Sequence, residues 1–538
     1  MSNTNDVTRR PLDTAGRSPV HGLNGMASTS HVLATQTAVE ILKAGGNALD
    51  ASIAACAMQC VVEPESTGIG GDCFALYSKG GSDQLIGYNG SGRAPSSATP
   101  EAFRKLGIAS IERGSAHSVV IPGAVDAWCR LHGDYGKMPF NELLQPAIST
   151  ARSGYALSQR VQFDIAQQAE FISQFPITAS MFLVNGKAPP IGSIRKLPEL
   201  ADALEQLASQ GREAFYQGPL ANDMVDELQT RGGLHTLDDF ANMQGNYVTP
   251  MHSDYRGYRV HQCPPNGQGV IALLMMNMLR EMPVDPNGPL SVERIHWEIE
   301  ICRLTYALRD VWVADPDQVD IDYDTLLTQE FAVDLLSKIN PEKATERPVD
   351  FPRPKHKDTV YITVVDKDRN ACSFINTLFY SFGSGITTKS GISLTNRGMS
   401  FSLDPSHPNV IAPNKRPMHT IIPGMVTKDG RVSHCFGVMG GHYQAMGQQQ
   451  FLSRHLDFNC DVQYAQDLPR FMINLETDAV DIESTVDESV CEKLRAMGHN
   501  LVTAAVPIGG SQAIQIDWEQ GVLTGGSDPR KDGCALGY

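Results

Sequence analysis

The segment from residue 354 to 374, PKHKDTVYITVVDKDRNACSF, constrains the fold more than any other part of the chain. From Thr359 onward the residues alternate like a strand, with Val360, Ile362 and Val364 on one face. The residues DKDRN supply a turn, and a second strand-like run follows. The pattern predicts a β-hairpin whose first strand begins directly after a charged, proline-rich stretch.

That charged stretch, residues 340–358, is the best linker candidate in the 538-residue chain, because it contains proline and charge but no hydrophobic periodicity. Helical patterns dominate before it, and strand patterns dominate after it. The polar start of the chain predicts a flexible leader over residues 1–24. The remaining sequence divides into a helix-rich part, 25–358, and a strand-rich part, 359–538.

Local signals predict several elements in the first part of the chain. A first helix should end at Gly45 and Gly46, and a second should begin near Asn47 and Asp50. Residues 291–314 form the clearest amphipathic helix. The glycines of STGIGGDCF lack the GK[ST] of a phosphate loop, so we interpret them as sites of close backbone approach.

Charge and composition argue against several classes of partner. The net charge of −16 repels the phosphate backbone of nucleic acids and anionic lipid headgroups. The sequence contains no run of 18 apolar residues and no apolar signal-peptide core, which makes the cytoplasm the expected location. Eleven cysteines without a CxxC pair predict neither a disulfide framework nor a zinc site.

Thr359 has two interpretations on the residues alone. Threonine is common in strands, so it can be an ordinary strand residue. If the peptide bond before it is cut, however, its α-amine, with a pKa of roughly 8, can act as general base for its own hydroxyl. The hydroxyl would first attack the Asp358 carbonyl, and water would resolve the resulting ester.

Other catalytic motifs are weak or absent. The sequence has no GxSxG elbow and no HExxH. The pair Gly440–Gly441, in MGGHYQ, follows the strand-like run SHCFGV. Adjacent glycines at a strand end can aim two backbone N–H groups at one point, as an oxyanion hole requires. Gly-Gly turns are common, so this signal is weak when taken alone.

Eight segments together resemble a known family in its own order, between about Gly25 and Asp532. They are ILKAGGNALDASIAA, EPESTGIGGDCFALY, GRAP, IPGAVDAW, DTVYITVVDKDRNACS, FGSGI, APNKRP and MGG. The chain resembles the gamma-glutamyltranspeptidase family of N-terminal-nucleophile (Ntn) hydrolases. The resemblance implies an α/β fold, a four-layer αββα sandwich formed jointly by two subunits of one precursor.

The resemblance also assigns a catalytic core. It implies self-cleavage between Asp358 and Thr359, which gives a large subunit of residues 1–358 and a small subunit of residues 359–538. Thr359 falls on the family nucleophile, and Thr377 falls on the threonine that hydrogen-bonds its new amine. Gly440 and Gly441 fall on the oxyanion-hole pair. No metal or organic cofactor is required by this mechanism.

The residues expected to bind substrate depart from the family pattern. Arg93, in SGRAP, lies two positions from the arginine that binds the substrate α-carboxylate. Phe379 replaces an asparagine, and Phe401 falls on the acidic residue that binds the α-ammonium group. The remaining replacements are His419 and Thr420, which stand for a serine pair, and His442, which ends GVMGGH where the family has GSPGGS.

These departures favour a remodelled pocket, because a desolvated ammonium group needs an anionic partner that Phe379 and Phe401 cannot provide. The alternative is that both phenylalanines are core residues in a locally shifted alignment. The leading hypothesis is an autoprocessing amidohydrolase or acyltransferase that acts on a small-molecule amide of the acylase or oxamate type. The alternatives are a true gamma-glutamyl transferase or glutathione hydrolase, and an inactive, uncleaved binding protein. Association of protomers is left open.

Overall fold

The computed structural model describes residues 8–345, 359–474 and 477–538. The β-strands in these ranges are β1 (Val20–Gly22), β2 (Met26–Thr29), β3 (Asp72–Ser78), β4 (Leu85–Gly90), β5 (Tyr155–Ala156), β6 (Ile194–Arg195), β7 (Asn246–Val248), β8 (Met251–Tyr255), β9 (Tyr258–Gln262), β10 (Val360–Val365), β11 (Ala371–Thr377), β12 (Gly424–Lys428), β13 (Arg431–Met439), β14 (Phe471–Ile473), β15 (Val480–Ile482), β16 (Leu501–Thr503), β17 (Gly510–Asp517), β18 (Val522–Ser527) and β19 (Cys534–Gly537).

The α-helices in the same ranges are α1 (Val32–Lys43), α2 (Ala48–Val62), α3 (Pro100–Lys105), α4 (Ala124–Tyr135), α5 (Phe140–Ser153), α6 (Gln159–Ile172), α7 (Pro176–Phe182), α8 (Pro198–Gln210), α9 (Arg212–Tyr216), α10 (Pro219–Thr230), α11 (Leu237–Ala241), α12 (Gly269–Arg280), α13 (Val292–Trp312), α14 (Tyr323–Leu326), α15 (Gln329–Leu336), α16 (Tyr443–Leu456), α17 (Tyr464–Asp467) and α18 (Glu488–Ala496). Within the described ranges, no helix has the length and apolar content needed to cross a bilayer.

Two seven-stranded antiparallel sheets form the centre of the molecule. The first, which we call the outer-strand sheet, has the order β1-β18-β17-β13-β12-β9-β8. The second, the hairpin sheet, has the order β19-β2-β10-β11-β3-β4-β7. Helices α1, α2, α4, α5 and α8 share an apolar core with the hairpin sheet, and α12, α13 and α16 share one with the outer-strand sheet. The result is the predicted four-layer αββα sandwich.

Both faces of strand β10 pack against apolar cores. Ile362 and Val364 pack into the core beneath the helices, whereas Tyr361 and Val365 pack into the core between the two sheets. All six residues of β10 are therefore buried. Burial on both faces explains why apolar residues occupy both sides of the strand alternation.

Both sheets contain strands from each side of the predicted cleavage position. In the hairpin sheet, β10 pairs with β11 on one side and with β2 on the other, where Ile362 lies opposite Thr29. In the outer-strand sheet, β12 pairs with β9 and β1 pairs with β18. The parts of the chain before and after residue 358 thus complete the same two sheets.

Several local expectations agree with the structure. The predicted hairpin is present, since Val365 lies opposite Ala371 and the two strands pair through Val360 and Asn376. Helix α1 ends at Lys43, and Gly45 follows with a φ of 104°. Asn47 caps α2 and forms a capping box with Asp50.

Part of the predicted leader forms a strand. Residues Val20–Gly22 lie within the predicted leader, 1–24, but form β1 and pair with Leu523–Gly525 of β18. Three residues at a sheet edge carry too little alternation to be recognised in the sequence. Of the predicted linker, residues 346–358 lie outside the described residues, so the subunit boundary stays a prediction.

The two sheets are in close contact where a glycine of β13 faces an aromatic ring of β10. A Cβ placed on Gly437 of β13 would lie 2.6 Å from Cδ2 of the buried Tyr361 ring. Such a contact is too short for either sheet to accept without displacement. Gly437 therefore sets the distance between β13 and β10.

We predict that Gly437→Ala lowers the free energy of unfolding by about 1–3 kcal/mol, because the added methyl group must displace Tyr361. The matched control is Gly133→Ala in α4, where the glycine is exposed and a Cβ would meet nothing within 4 Å. That variant should gain roughly 0.5–1 kcal/mol from the better helix propensity of alanine. Calorimetric melting of both variants checks the opposite signs, and equal shifts would contradict this explanation.

Candidate active site

Thr359 and Thr377 lie opposite each other at one end of the hairpin. The β10–β11 register pairs Val360 with Asn376, and extending it by one residue places Thr359 opposite Thr377. Their hydroxyl oxygens are 3.2 Å apart, within hydrogen-bond distance. Thr359 is 1% exposed and Thr377 is fully buried. The predicted nucleophile and its predicted partner therefore meet at the head of a central strand.

The backbone after Thr377 turns sharply and holds its hydroxyl. The Phe379 N–H donates to Thr377 Oγ1 at 2.8 Å. Phe379 has a φ of 84°, a conformation that asparagine and glycine adopt far more readily than an aromatic residue. Such backbone strain costs on the order of 1–3 kcal/mol and persists where the surrounding structure enforces it. Here it fixes the oxygen next to Thr359.

The ring of Phe379 lies against a buried cation. The guanidinium carbon of Arg397 is 3.5 Å from the centroid of this ring, and the Tyr380 ring stacks on Phe379 with centroids 5.0 Å apart. The chain returns to this point because the Tyr380 N–H donates to the side chain of Asn396 and the Asn396 N–H donates to the Leu378 carbonyl. Phe379 thus supports Arg397 by a cation–π contact.

Arg397 is fully buried beside a carboxylate. Its Nη1 donates to Thr420 Oγ1 at 3.1 Å, and its Nε lies 3.7 Å from Asp72 Oδ2. Burial lowers the pKa of Arg397 to about 9, while the nearby Asp72 opposes that shift. The guanidinium therefore remains charged at neutral pH.

Asp72 is held by donors other than Arg397. Its Oδ1 accepts the Gly92 N–H at 2.7 Å, and its Oδ2 lies 3.0 Å from His419 Nε2. The Ile421 N–H donates to His419 Nδ1, so Nε2 carries the ring proton and donates it to Asp72. Asp72 also lies opposite Thr377 in the β11–β3 register. These contacts join both predicted threonines to the charged network.

Gly440 and Gly441 form a turn between β13 and α16, with φ values of 121° and 59°. Their carbonyl groups accept the N–H groups of Tyr443 and Gln444 at 3.1 and 3.2 Å. Neither glycine N–H donates to another residue in the described part of the chain. Two backbone N–H groups of this kind are what the predicted oxyanion hole requires.

Buried side chains of α13 and of Gln268, the residue before α12, hold this turn in place. Gln268 Nε2 donates to the carbonyl groups of Thr420 and Gly441, at 2.9 and 3.1 Å. Arg309 Nη1 donates to Gln268 Oε1 and to His442 Nδ1, at 3.0 and 2.8 Å. The Tyr306 hydroxyl donates to the His442 carbonyl. His442 therefore attaches the turn to α13.

The packing of β10 on β13 brings the turn toward Thr359. Thr363 Oγ1 donates to the Cys435 carbonyl at 3.2 Å, and Tyr361 packs on Gly437. Continuing this pattern by two residues places Thr359 opposite Met439, which directly precedes Gly440. A cleft of about 180 Å³ borders the turn at Met439 and Gly440. Its lining includes Met439, Gly440, Ser381, Arg113 and Lys531.

Two of the predicted substrate residues make their contacts elsewhere. Arg93 Nη1 donates to the Asn414 carbonyl at 2.9 Å, and Nη2 lies 3.7 Å from Asp317 at a partly exposed position. Phe401 packs in a satellite apolar cluster that includes Phe103 and Ile411. The other four, Phe379, His419, Thr420 and His442, belong to the network around the two threonines.

Sequence reasoning missed Asp72 and Arg397. One signal was available for Asp72, because it follows the glycines interpreted as points of close approach. A Cβ on Gly71 would lie 2.9 Å from the Thr377 carbonyl carbon, so that interpretation agrees with the structure. Arg397 carries no comparable signal, since its burial depends on a loop that closes through tertiary contacts.

One cluster in the described ranges has the donor types of a metal site: His296, Glu300 and His499. His296 Nδ1 and His499 Nε2 form a 2.7 Å hydrogen bond, and Arg303 pairs with Glu300. Burial lowers the pKa of His499 to about 3, which keeps its ring neutral. Both ring nitrogens of His296 are engaged and Glu300 is paired with Arg303, so we interpret the cluster as a structural network.

We predict that Thr377→Val slows chain cleavage and turnover by roughly 10²-fold, because small displacements at a reacting group are this costly. Valine keeps the shape of threonine but leaves the Phe379 N–H without its acceptor. The matched variant Thr377→Ser restores the hydroxyl and should recover most of the rate. Cleavage followed by intact-mass spectrometry checks both variants, and a wild-type rate in Thr377→Val would refute the assigned contact.

Comparisons with known proteins agree with the predicted family. The sequence model described as Gamma-glutamyltranspeptidase matches residues 34–538. The glutathione hydrolase-like YwrD proenzyme of Bacillus subtilis is 37% identical over 96% of this chain and 99% of the relative. The oxamate amidohydrolase proenzyme of Klebsiella pneumoniae is 33% identical over 96% and 98%. The crystal structure of a cephalosporin acylase from Bacillus halodurans matches with a TM-score of 0.91, at 35% identity over 98% of each chain. This chain therefore belongs to the gamma-glutamyltranspeptidase family and has the Ntn-hydrolase fold.

Proposed function

We propose that the protein is an autoprocessing amidohydrolase that uses Thr359 as its nucleophile. It forms an acyl ester on Thr359 and transfers the acyl group to water or to an amine. The observation that carries the proposal is the 3.2 Å contact between the hydroxyl groups of Thr359 and Thr377 at the head of β10. The Gly440–Gly441 turn, with two available backbone donors, supports the same chemistry.

Processing begins with attack of Thr359 Oγ1 on the carbonyl carbon of Asp358, which lies outside the described residues. The C–N bond before Thr359 breaks, and an ester to Oγ1 replaces it. Water then hydrolyses this ester, so residues 1–358 end in a carboxylate and residue 359 begins with a free α-amine. The relatives named above as proenzymes are consistent with such a step.

In turnover, the new α-amine accepts the proton of the Thr359 hydroxyl as the oxygen attacks a substrate amide carbonyl. The N–H groups of Gly440 and Gly441 stabilise the resulting oxyanion. The amine product leaves with the proton from the α-amine, and water hydrolyses the acyl ester. Thr377 holds the nucleophile in position throughout. No step requires a metal or an organic cofactor.

The surroundings of Thr359 favour an acyl group that lacks an α-ammonium. The carboxylate of Asp72 already accepts hydrogen bonds from Gly92 and His419. Asp404, the acidic residue near the position of the family clamp, is exposed and accepts hydrogen bonds from Ser406. An ammonium group would therefore lie next to Arg397 without an anionic partner of its own. Amide hydrolysis of the acylase or oxamate type fits this charge distribution.

Gamma-glutamyl transfer or glutathione hydrolysis is the second candidate, because the 37% identical relative is named glutathione hydrolase-like. Release of glutamate from glutathione, compared with release of ammonia from oxamate, separates the two. Efficient glutathione hydrolysis that free glutamate suppresses would favour the second candidate over the first.

We expect the purified protein to consist of two chains, one of 358 residues and one of 180, since 538 minus 358 is 180. Thr359→Ala removes the hydroxyl and should leave a single 58.5 kDa chain without amidase activity. Thr359→Ser keeps a hydroxyl and should still be cut. Intact-mass spectrometry and N-terminal sequencing measure all three proteins.

An uncut wild-type chain would instead identify the protein as an inactive binding homologue. A cut Thr359→Ala variant with activity would show that another residue is the nucleophile. Both results would be visible before any substrate is known.

A further inference from the structure

We propose that Arg309 is a positioning residue of the oxyanion hole. Through Gln268 and His442, it holds the Gly440–Gly441 turn in the orientation that receives the oxyanion. This inference rests on the proposed function, because it assigns a supporting residue to the reaction at Thr359.

The guanidinium group of Arg309 is held rigidly inside the protein. The side chain is 1% exposed, and its Nε and Nη2 donate to Asp310 Oδ1 at 2.8 and 2.6 Å. The guanidinium carbon lies 4.4 Å from the centroid of the Tyr306 ring. A carboxylate at one edge and an aromatic ring on one face leave the planar group little freedom to rotate. The remaining nitrogen, Nη1, therefore points in a fixed direction.

This fixed nitrogen reaches the turn by two routes. Arg309 Nη1 donates to Gln268 Oε1 at 3.0 Å, and Gln268 Nε2 in turn donates to the Gly441 carbonyl at 3.1 Å. The same Nη1 donates to His442 Nδ1 at 2.8 Å, and His442 directly follows Gly441 in the chain. One guanidinium group thus restrains the turn through a neighbouring side chain and through the residue that ends the turn.

These contacts fix the peptide planes of the turn. A trans peptide is planar, and its N–H points opposite to its C=O. The Gly440 carbonyl accepts the Tyr443 N–H, so the Gly441 N–H points away from the start of α16. The next two carbonyls, of Gly441 and His442, accept from Gln268 and from the Tyr306 hydroxyl. Donors fixed in this way need no reorganisation when the oxyanion forms, and this property makes such donors effective.

The contact with Arg309 also determines the tautomer of His442. A guanidinium group can only donate, so His442 Nδ1 accepts and the ring proton lies on Nε2. A second proton cannot bind Nδ1 while Arg309 donates to it. The imidazole therefore serves the turn as a neutral acceptor, and another neutral acceptor of similar reach should replace it.

The first test replaces the arginine in the processed enzyme, with the better of oxamate and glutathione as substrate. Arg309→Met should lower kcat by on the order of 10²-fold and change KM less than about threefold, because the turn acts on the transition state. Arg309→Lys keeps the charge without the planar fork and should be intermediate. The matched control, Arg303→Met, removes a cation of the same helix that pairs with Glu300, and should keep the wild-type kcat. An unchanged kcat in Arg309→Met, or a loss confined to KM, would overturn the proposal.

Variants of the two connecting residues test the route. His442→Asn keeps an acceptor atom near the position of Nδ1, whereas His442→Leu has a similar shape without one. We expect His442→Asn to keep most of kcat, and His442→Leu and Gln268→Met to lose it. Combining Gln268→Met with Arg309→Met should lower kcat little further, since the two residues act in one chain of contacts. Fully additive losses would show that they act separately.

An inhibitor then reports on the oxyanion position itself. Methaneboronic acid forms a bond from Thr359 Oγ1 to boron, the hydroxyl proton passes to the α-amine, and the tetrahedral boron carries the negative charge. Its Ki should rise in the variants in proportion to the loss of kcat/KM, as expected for a transition-state analogue. A lowered kcat with an unchanged Ki would place the defect elsewhere and contradict the role of Arg309.

Chain cleavage separates this inference from the proposed function. Where a variant is not cut, its cleavage rate replaces kcat, because cleavage also forms an oxyanion, on the Asp358 carbonyl. If Arg309→Met does not fold, the His442 and Gln268 variants, which remove no charge, decide the question. A cut and active wild type with an unaffected Arg309→Met contradicts only the positioning role. An uncut, inactive wild type contradicts the proposed function itself.

Discussion

The pairing register between β10 and β11 is the constraint on which the rest of the site depends. It sets Thr359 opposite Thr377, and the pairing of β11 with β3 sets Thr377 opposite Asp72. A slip of one residue would turn the side chains of β10 to the opposite faces of the sheet. Because β10 is buried on both faces, such a slip would disturb the helix-side core and the inter-sheet core together.

Around this fixed centre, the site combines a backbone part with a charged part. The Gly440–Gly441 turn offers backbone N–H donors. The charged part is formed by Asp72 with Arg397 and His419, whose nitrogens lie 3.7 and 3.0 Å from Asp72 Oδ2. Phe379 links the charged part to Thr377, since its backbone N–H donates to Thr377 Oγ1 and its ring supports Arg397.

The sequence predicts features whose causes are local. The hairpin, the capping of α2 by Asn47 and the end of α1 near Gly45 each depend on neighbouring residues. The family resemblance adds the fold, and its assignment of Thr359 and Thr377 is compatible with their contact. Arg397 was not predictable in this way, because its burial and its neighbours come from segments far apart in the chain. Edge strand β1 was missed because three residues show no clear period.

The interleaving of strands has a consequence for refolding. A cut before Thr359 would leave two chains that still share both sheets, so the folded protein would lose little. After denaturation, however, the two chains would have to find each other in solution, whereas the uncut chain folds as one molecule. Recovery would then depend on protein concentration. The lifetime of the folded, cleaved protein would therefore be set mainly by how slowly it unfolds, and less by its ability to refold.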